Sequence, residues 1–192
     1  MLVMPGHGED GELAPELLAR CQAGEPAALR AFVERYQRAV FALLSRTLGR
    51  HEELEDLAQE TFLRAIRALP TFHADGAARL STWLLTIATR LALDACRKRT
   101  RQQRPSLAAE PLSASTPEHE VQRSQLREEI ASAIDELPSD QRAAFVLAEF
   151  HGFSLEDIAS ALDTRPSTIK TRLFRAREKL SRALAHHRGT AE

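Results

Sequence analysis

Between Arg165 and Arg188 the chain carries Arg165, Lys170, Arg172, Arg175, Arg177, Lys179, Arg182 and Arg188 against a single carboxylate, Glu178. A second run, from Arg90 to Arg104, holds Arg90, Arg97, Lys98, Arg99, Arg101 and Arg104 against Asp94 alone. Guanidinium and ammonium groups at this density pair with phosphates, and a planar guanidinium can also bond two acceptors on a guanine edge. Thr171 and Phe174 lie among the cations of the first run. Threonine can contact several base edges and phenylalanine can touch a thymine methyl. The compensating acids lie elsewhere, notably Glu52, Glu53, Glu55, Asp56 and Glu60. The formal net charge is only −1, so the bulk charge announces no polyanion binder, but the separation of charge suits two partners, one anionic and one basic.

Bond-making chemistry is harder to find. The seven histidines stand at 7, 51, 73, 119, 151, 186 and 187, and His51-Glu52-Glu53 lacks the second histidine of a zinc helix. No nucleophile–base pair and no phosphate-cradling glycine loop can be read, so neither an enzyme, a cofactor nor a metal site is expected. Cys21 and Cys96 make no disulfide framework and suit a reduced cytoplasm. The start, MLVMPGHGEDGE, has neither the basic opening nor the apolar run of a signal peptide. No stretch approaches the roughly 20 apolar residues of a membrane span.

The 192 residues suit two domains of about 80 residues each, and the richness in Ala, Leu, Glu and Arg favours helix. Residues 1–12 read as a disordered tail. Leu13 and Leu17 open a short helix interrupted at Gly24 and Pro26; Phe32, Tyr36, Val40 and Leu43 or Leu44 mark the next, ended by Gly49. A third runs from about Glu52 to Leu69 and is stopped by Pro70. Residues 71–81 read as a loop. Ser81 or Thr82 can then cap a fourth helix with Trp83, Ile87, Leu91 and Ala95 on its buried side. Residues 101–120 lose all periodicity and carry Pro105, Pro111 and Pro117, a flexible linker. Beyond about Glu118, Leu126, Ile130, Ala133 and Leu137 form a stripe, and Ser139 can cap a helix faced by Ala143, Val146, Leu147 and Phe150. No strand is needed: the expectation is an all-α fold of two helical domains, 13–100 and 121–185, with a C-terminal tail from 186 to 192.

The cations acquire a geometry at the C-terminal end. Ser154 stands three residues before Asp157, a capping-box spacing, and opens a helix with Leu155, Ile158, Ala159 and Leu162 on one face. Asp163, Thr164 and Arg165 make a turn, and Pro166 suits the first position of the helix that follows. Helices of about 8 and 18 residues joined by so short a turn describe a helix-turn-helix, whose second helix enters the DNA major groove. With Ile169, Leu173, Ala176 and Leu180 inward, Ser167, Thr171, Phe174, Arg175 and Glu178 face outward. Lys170, Arg172 and Arg177 flank them, set to hold phosphates, as does the helix start near Ser154.

The sequence FSLEDIASALDTRPSTIKTRLFRAREKL, residues 153–180, resembles region 4.2 of the sigma-70 family, especially its extracytoplasmic-function (ECF) group. DLAQETFLRAIR at 56–67 resembles region 2.2, and STWLLTIATRLALDACRKR at 81–99 resembles regions 2.3 and 2.4. The three occur in the family's order, and the likeness spans about residues 13–185. It implies a specificity subunit of bacterial RNA polymerase that directs promoter recognition, strand opening and initiation, commonly held by an anti-sigma factor. Region 2.2 docks on a coiled coil of the largest polymerase subunit, which here implicates Asp56, Leu57, Gln59, Glu60 and Phe62; region 4 adjoins the flap. The loop 72–82 corresponds to the segment that captures a flipped base of the −10 element, implicating Phe72, with Trp83, Arg90, Arg97, Lys98 and Arg99 on the following helix. Trp83 also falls on the apolar stripe, where it would pack in the core. Region 4.2 reads the −35 element, implicating Arg165, Ser167, Lys170, Thr171, Phe174, Arg175 and Arg177. The sequence departs from the family at Arg90, where Asn is common, and at Thr86, where Arg is frequent, and these positions bear on −10 preference. A rival reading is a helix-turn-helix regulator acting on duplex DNA without polymerase. It would leave the basic run 97–104 without a role, and nothing in 13–99 resembles a ligand pocket.

Overall fold

The computed structural model of the protein describes residues 12–49, 53–73, 79–102 and 128–185, all helix and connecting turns. Two prolines at first helical positions, where no N–H is needed, start α1 (Pro15–Gln22) and α2 (Pro26–Leu48). Helix α3 (Leu54–Ala68) gives way to a 3₁₀ turn, Leu69–Thr71, that contains Pro70. Helix α4 spans Leu80–Gln102. A helix over 128–135, α5, precedes α6 (Ser139–His151), α7 (Leu155–Ala161) and α8 (Pro166–Ala183). The expected linker 101–120 falls almost wholly outside the described residues, as do both tails and Leu126.

Two helix starts differ from expectation. Helix α4 begins before Ser81, whose backbone N–H and hydroxyl both donate to the Glu12 carboxylate. Helix α6 is preceded by Pro138, and Ser139 is its first residue rather than its cap. By contrast Ser154 and Asp157 form the expected reciprocal box, Asp157 N donating to Ser154 Oγ at 3.0 Å and Ser154 N to Asp157 Oδ2 at 3.3 Å.

Helices α2, α3 and α4 pack round Phe32, Tyr36, Val40, Leu44 and Phe62, with the Phe32 ring set edge-on to Tyr36 and Phe62 at 5.4 and 5.9 Å. Helices α6, α7 and α8 pack on each other, and α5 joins α8 through Ala133, Ile134, Leu137, Ala176 and Leu180. The two lobes, α1–α4 and α5–α8, are not separate here. One apolar core runs through both, because α6 and α7 lie against α2 and α4.

This docking corrects the burial expected of α4. Trp83, Ile87 and Ala95 are only partly buried, while Leu84, Leu85, Ala88, Leu91, Ala92, Leu93 and Cys96 are all in the core. A helix covered by neighbours on opposite sides is apolar nearly all round, and no single stripe describes it.

Polar contacts lock the lobes as well. Arg142 on α6 is buried, and burial pushes its guanidinium below the ordinary arginine range. It donates to Thr47 O at the end of α2 (3.3 Å), to Leu137 O (3.1 Å) and to Asp135 O. Gly49, just past α2, adopts φ 72° and ψ −153°, a region essentially closed to other residues. A Cβ there would also stand 3.0 Å from Asp135 Oδ1. The Arg46 guanidinium lies 4.5 Å from the Phe150 ring centroid, a cation–π contact between lobes.

Candidate nucleic-acid interface

Helices α7 and α8 form the helix-turn-helix. The turn reverses through Asp163 at φ 47°, a conformation that aspartate tolerates better than most residues, and Thr164 N donates to Ala159 O at 2.9 Å. Ile169, Leu173, Ala176 and Leu180 are the buried residues of α8, and Ser167, Thr171, Phe174, Arg175 and Glu178 are exposed, as the spacing predicts. Phe174 is 67% exposed, far more than a packed aromatic would be, so its ring is available to a partner.

The cations of α8 divide into two sets. Arg177 donates both Nε and Nη2 to Glu149 Oε1, at 3.0 and 2.7 Å, and Arg172 donates to Asp140 at 2.7 Å. Both are tied to α6, and they orient α8 before they can hold a phosphate. Among the described residues, Arg165, Lys170 and Arg175 enter no ion pair, and all three are exposed. The start of α7 does not suit a phosphate, contrary to the sequence reading. The Asp157 carboxylate already accepts from the Ser154 N–H and hydroxyl and places negative charge there.

The second basic run lies on the last turns of α4. Arg97, Lys98 and Arg101 are exposed and Arg99 is partly covered; Arg97 makes one weak pair with Asp94 at 3.4 Å. Arg90 behaves differently. Its Nε donates to Ala161 O and its Nη2 to Ser160 O, both at 3.1 Å, so it serves as a C-terminal cap of α7 across the lobe boundary. At the head of α4, Phe72 is buried and packs against the half-buried Trp83, the rings tilted with centroids 4.9 Å apart. Residues 74–78 of the expected loop lie outside the described residues.

On α3, Asp56 and Gln59 are exposed, Leu57 and Glu60 are partly so, and Phe62 is buried. Glu60 is held by Arg64 at 2.6 Å. Leu63 stands 46% exposed one turn beyond Gln59, an apolar contact point that the sequence reading missed. Its i+4 spacing from Gln59 was the available signal.

A cleft of about 640 Å³ is lined by Arg97, Thr100 and Arg101 of α4, by Thr168, Thr171, Arg172 and Arg175 of α8, and by residues 138–141. Two cations from each of the runs singled out for polyanions thus share one concavity. Among the described residues no cluster could hold a metal ion, and no helix is long and apolar enough to cross a membrane.

Comparison with known proteins is consistent along the chain. The family model of Sigma-70 region 2 matches residues 32–102 and that of Sigma-70, region 4 matches residues 127–180. The chain is 36% identical to RNA polymerase sigma-H factor of Pseudomonas aeruginosa over 180 residues, covering 88% of this chain and 92% of that one. It is 34% identical to the ECF RNA polymerase sigma-E factor of Escherichia coli K12, covering 85% and 90%. Among solved structures it is similar to the sigma factor RpoE crystallised with the anti-sigma factor NepR from Bartonella quintana. That match has a TM-score of 0.63 and 28% identity, covering 81% of this chain and 96% of that one. CnrH in complex with the cytosolic domain of CnrY gives a TM-score of 0.62 and 26% identity, covering 89% and 96%.

Proposed function

The chain belongs to the sigma-70 family, in its extracytoplasmic-function group, and from that premise we propose that it binds core RNA polymerase, directs it to promoters, assists strand opening and is held inactive by an anti-sigma factor. The observation that carries the reading is the pair of cationic helices, α4 within the first family-matched segment and α8 with all but its last three residues in the second. A stand-alone regulator would need only the second.

We assign the roles by position. On α8, Arg165, Ser167, Lys170, Thr171, Phe174 and Arg175 read the −35 element or its backbone, and Arg177 joins them once released from Glu149. On the N-terminal lobe, Arg97, Lys98 and Arg99 hold the −10 strand, with Arg90, Phe72 and Trp83 joining when the lobes part. The exposed edge of α3, Asp56, Gln59 and Glu60 with Leu57 over Phe62, docks on the polymerase coiled coil, and the C-terminal lobe approaches the flap. Residues 13–100 and 121–185 act as separate DNA readers on the tether 101–120. The factor works in the cytoplasm, without catalysis of its own.

Strand opening must then be driven by binding. Extruding a base costs a few kcal/mol, and stacking returns about 1–3 kcal/mol per captured base. The sum is near balance, so opening needs polymerase and a well-matched promoter. The geometry adds a second requirement. Elements named −10 and −35 lie roughly 85 Å apart on a duplex that rises about 3.4 Å per base pair. Here α4 and α8 line one cleft. Promoter engagement therefore needs the lobes to separate, and the tether turns the second contact into an intramolecular one.

Run-off transcription with core polymerase, with and without the protein, tests the reading. Promoter-specific transcripts are expected only in its presence. Core enzyme that initiates identically either way would overturn it.

A further inference from the structure

The cleft between α4 and α8 gathers Arg97, Arg101, Arg172 and Arg175 against one lining carboxylate, Asp140, which is already paired with Arg172 at 2.7 Å. One helix start also meets it: α6 begins there, preceded by Pro138 and without a side-chain cap, and Asp140 in its first turn is neutralised by Arg172. Helix α8 lines the cleft from Thr168 onward. The hydroxyls of Thr100, Ser139, Thr168 and Thr171 and the Gln141 amide add to the polar lining. Guanidinium forks with hydroxyl donors beside them suit a phosphate chain.

We propose that this cleft binds an oligophosphate anion, and that the site exists only while the two lobes are closed. The ligand class follows from shape and charge. Closing the lobes sets like charges from two helices around one concavity, a repulsion that a multivalent anion would cancel and a monovalent one would not. The cationic groups come from two helices, so a ligand that touches both sets gains from carrying several linked charges. A volume of about 640 Å³ falls within the roughly 300–1,000 Å³ of small-ligand sites. Two lobes contribute to one site, so binding and closure are linked. The anion favours closure, and whatever opens the lobes releases the anion. Arg97 and Arg175 would thereby be withheld from promoter DNA in the same state.

The test uses the free full-length chain and needs neither polymerase nor promoter, so it stands or falls apart from the transcription reading. Inorganic tripolyphosphate is titrated by calorimetry and thermal unfolding at fixed ionic strength. Binding at one per chain and a rise in Tm are expected, with sulfate at equal ionic strength giving neither. Arg101→Gln, at the exposed end of α4, should weaken binding about tenfold. The double variant Arg46→Ala with Arg90→Ala removes two lobe-to-lobe contacts and leaves both lobe cores intact; it should weaken binding by a similar factor. An ATP arm separates the sources. Equal affinity means that the phosphate chain alone is read, and tighter ATP binding means that the nucleoside contributes too; both uphold the site. A sulfate response equal to that of tripolyphosphate, or affinity unchanged by Arg101→Gln, overturns the proposal. So does undiminished binding in the double variant once a lowered Tm and greater proteolysis show its lobes parted, because each lobe would then be binding anions on its own.

Discussion

At the scale of single residues, the arginines of this chain divide by what already holds them. Arg175 and Lys170 enter no ion pair among the described residues and point outward from α8, whereas Arg142 is buried against three carbonyls. Each predicts a different experiment. Arg175→Ala in the reconstituted holoenzyme should cost about 1–3 kcal/mol at a matched −35 element and relax preference at the base it reads. Lys170→Ala should weaken all promoters alike and lower the magnitude of the salt slope by about one. Filter binding at several salt concentrations separates the two, and identical behaviour of both variants would remove the assignment of Arg175 to a base edge. Arg142→Ala strands the carbonyls of Thr47, Asp135 and Leu137 in a buried place. A loss of about 2–3 kcal/mol in denaturant unfolding is expected, far more than truncating an exposed arginine such as Arg165.

At the scale of elements, much was legible in the sequence and the reasons are local. The inward stripe of α8, the Ser154–Asp157 box, Pro166 at the head of α8 and Gly49 at the end of α2 each depend on residues within a turn or two, so spacing alone could place them. Pro26 was legible only as a break between helices, and Pro15 not at all, although both open helices. What escaped was set by distant partners. Helix α4 was assigned one buried stripe because periodicity cannot reveal a neighbour some 70 positions away. In the structure α7 covers its other side and takes Arg90 as a cap. Arg177 and Arg172 were read as free phosphate ligands because Glu149 and Asp140 lie 28 and 32 residues away. The candidate site was therefore legible as a set of residues but not as a state. Gly49 shows the limit well. Its role as a helix stop was readable, but its second function, leaving room for Asp135, was not. Gly49→Ala should lower stability by about 1–3 kcal/mol through its backbone angles alone. Thermal unfolding checks this, and a change below about 0.5 kcal/mol would mean that the backbone region is not strained.

At the scale of the whole molecule, the two surfaces proposed to read separate promoter elements share one cleft and one core, and on that assignment closure and initiation exclude each other. The energetic gap between the states must be small enough for polymerase to reverse. A few kcal/mol of differential affinity suffices to move a two-state equilibrium from mostly closed to mostly open. A covalent lock makes this measurable. Arg90 and Ser160 touch across the boundary, so the variant Arg90→Cys with Ser160→Cys can be bridged by a short, reductant-cleavable bismaleimide. The native Cys21 and Cys96 are buried, and burial pushes both thiols up, which slows their reaction. Using one variant in bridged and cleaved forms cancels any direct effect of losing Arg90. The bridged protein should support at most a few per cent of the run-off transcript made after cleavage, while unfolding at a higher temperature. The α3 edge lies on the N-terminal lobe away from the cleft, so the bridged form should still compete for core polymerase to some degree. If bridged and cleaved forms initiate equally well, the lobes need not part, and promoter DNA must be read from the closed arrangement.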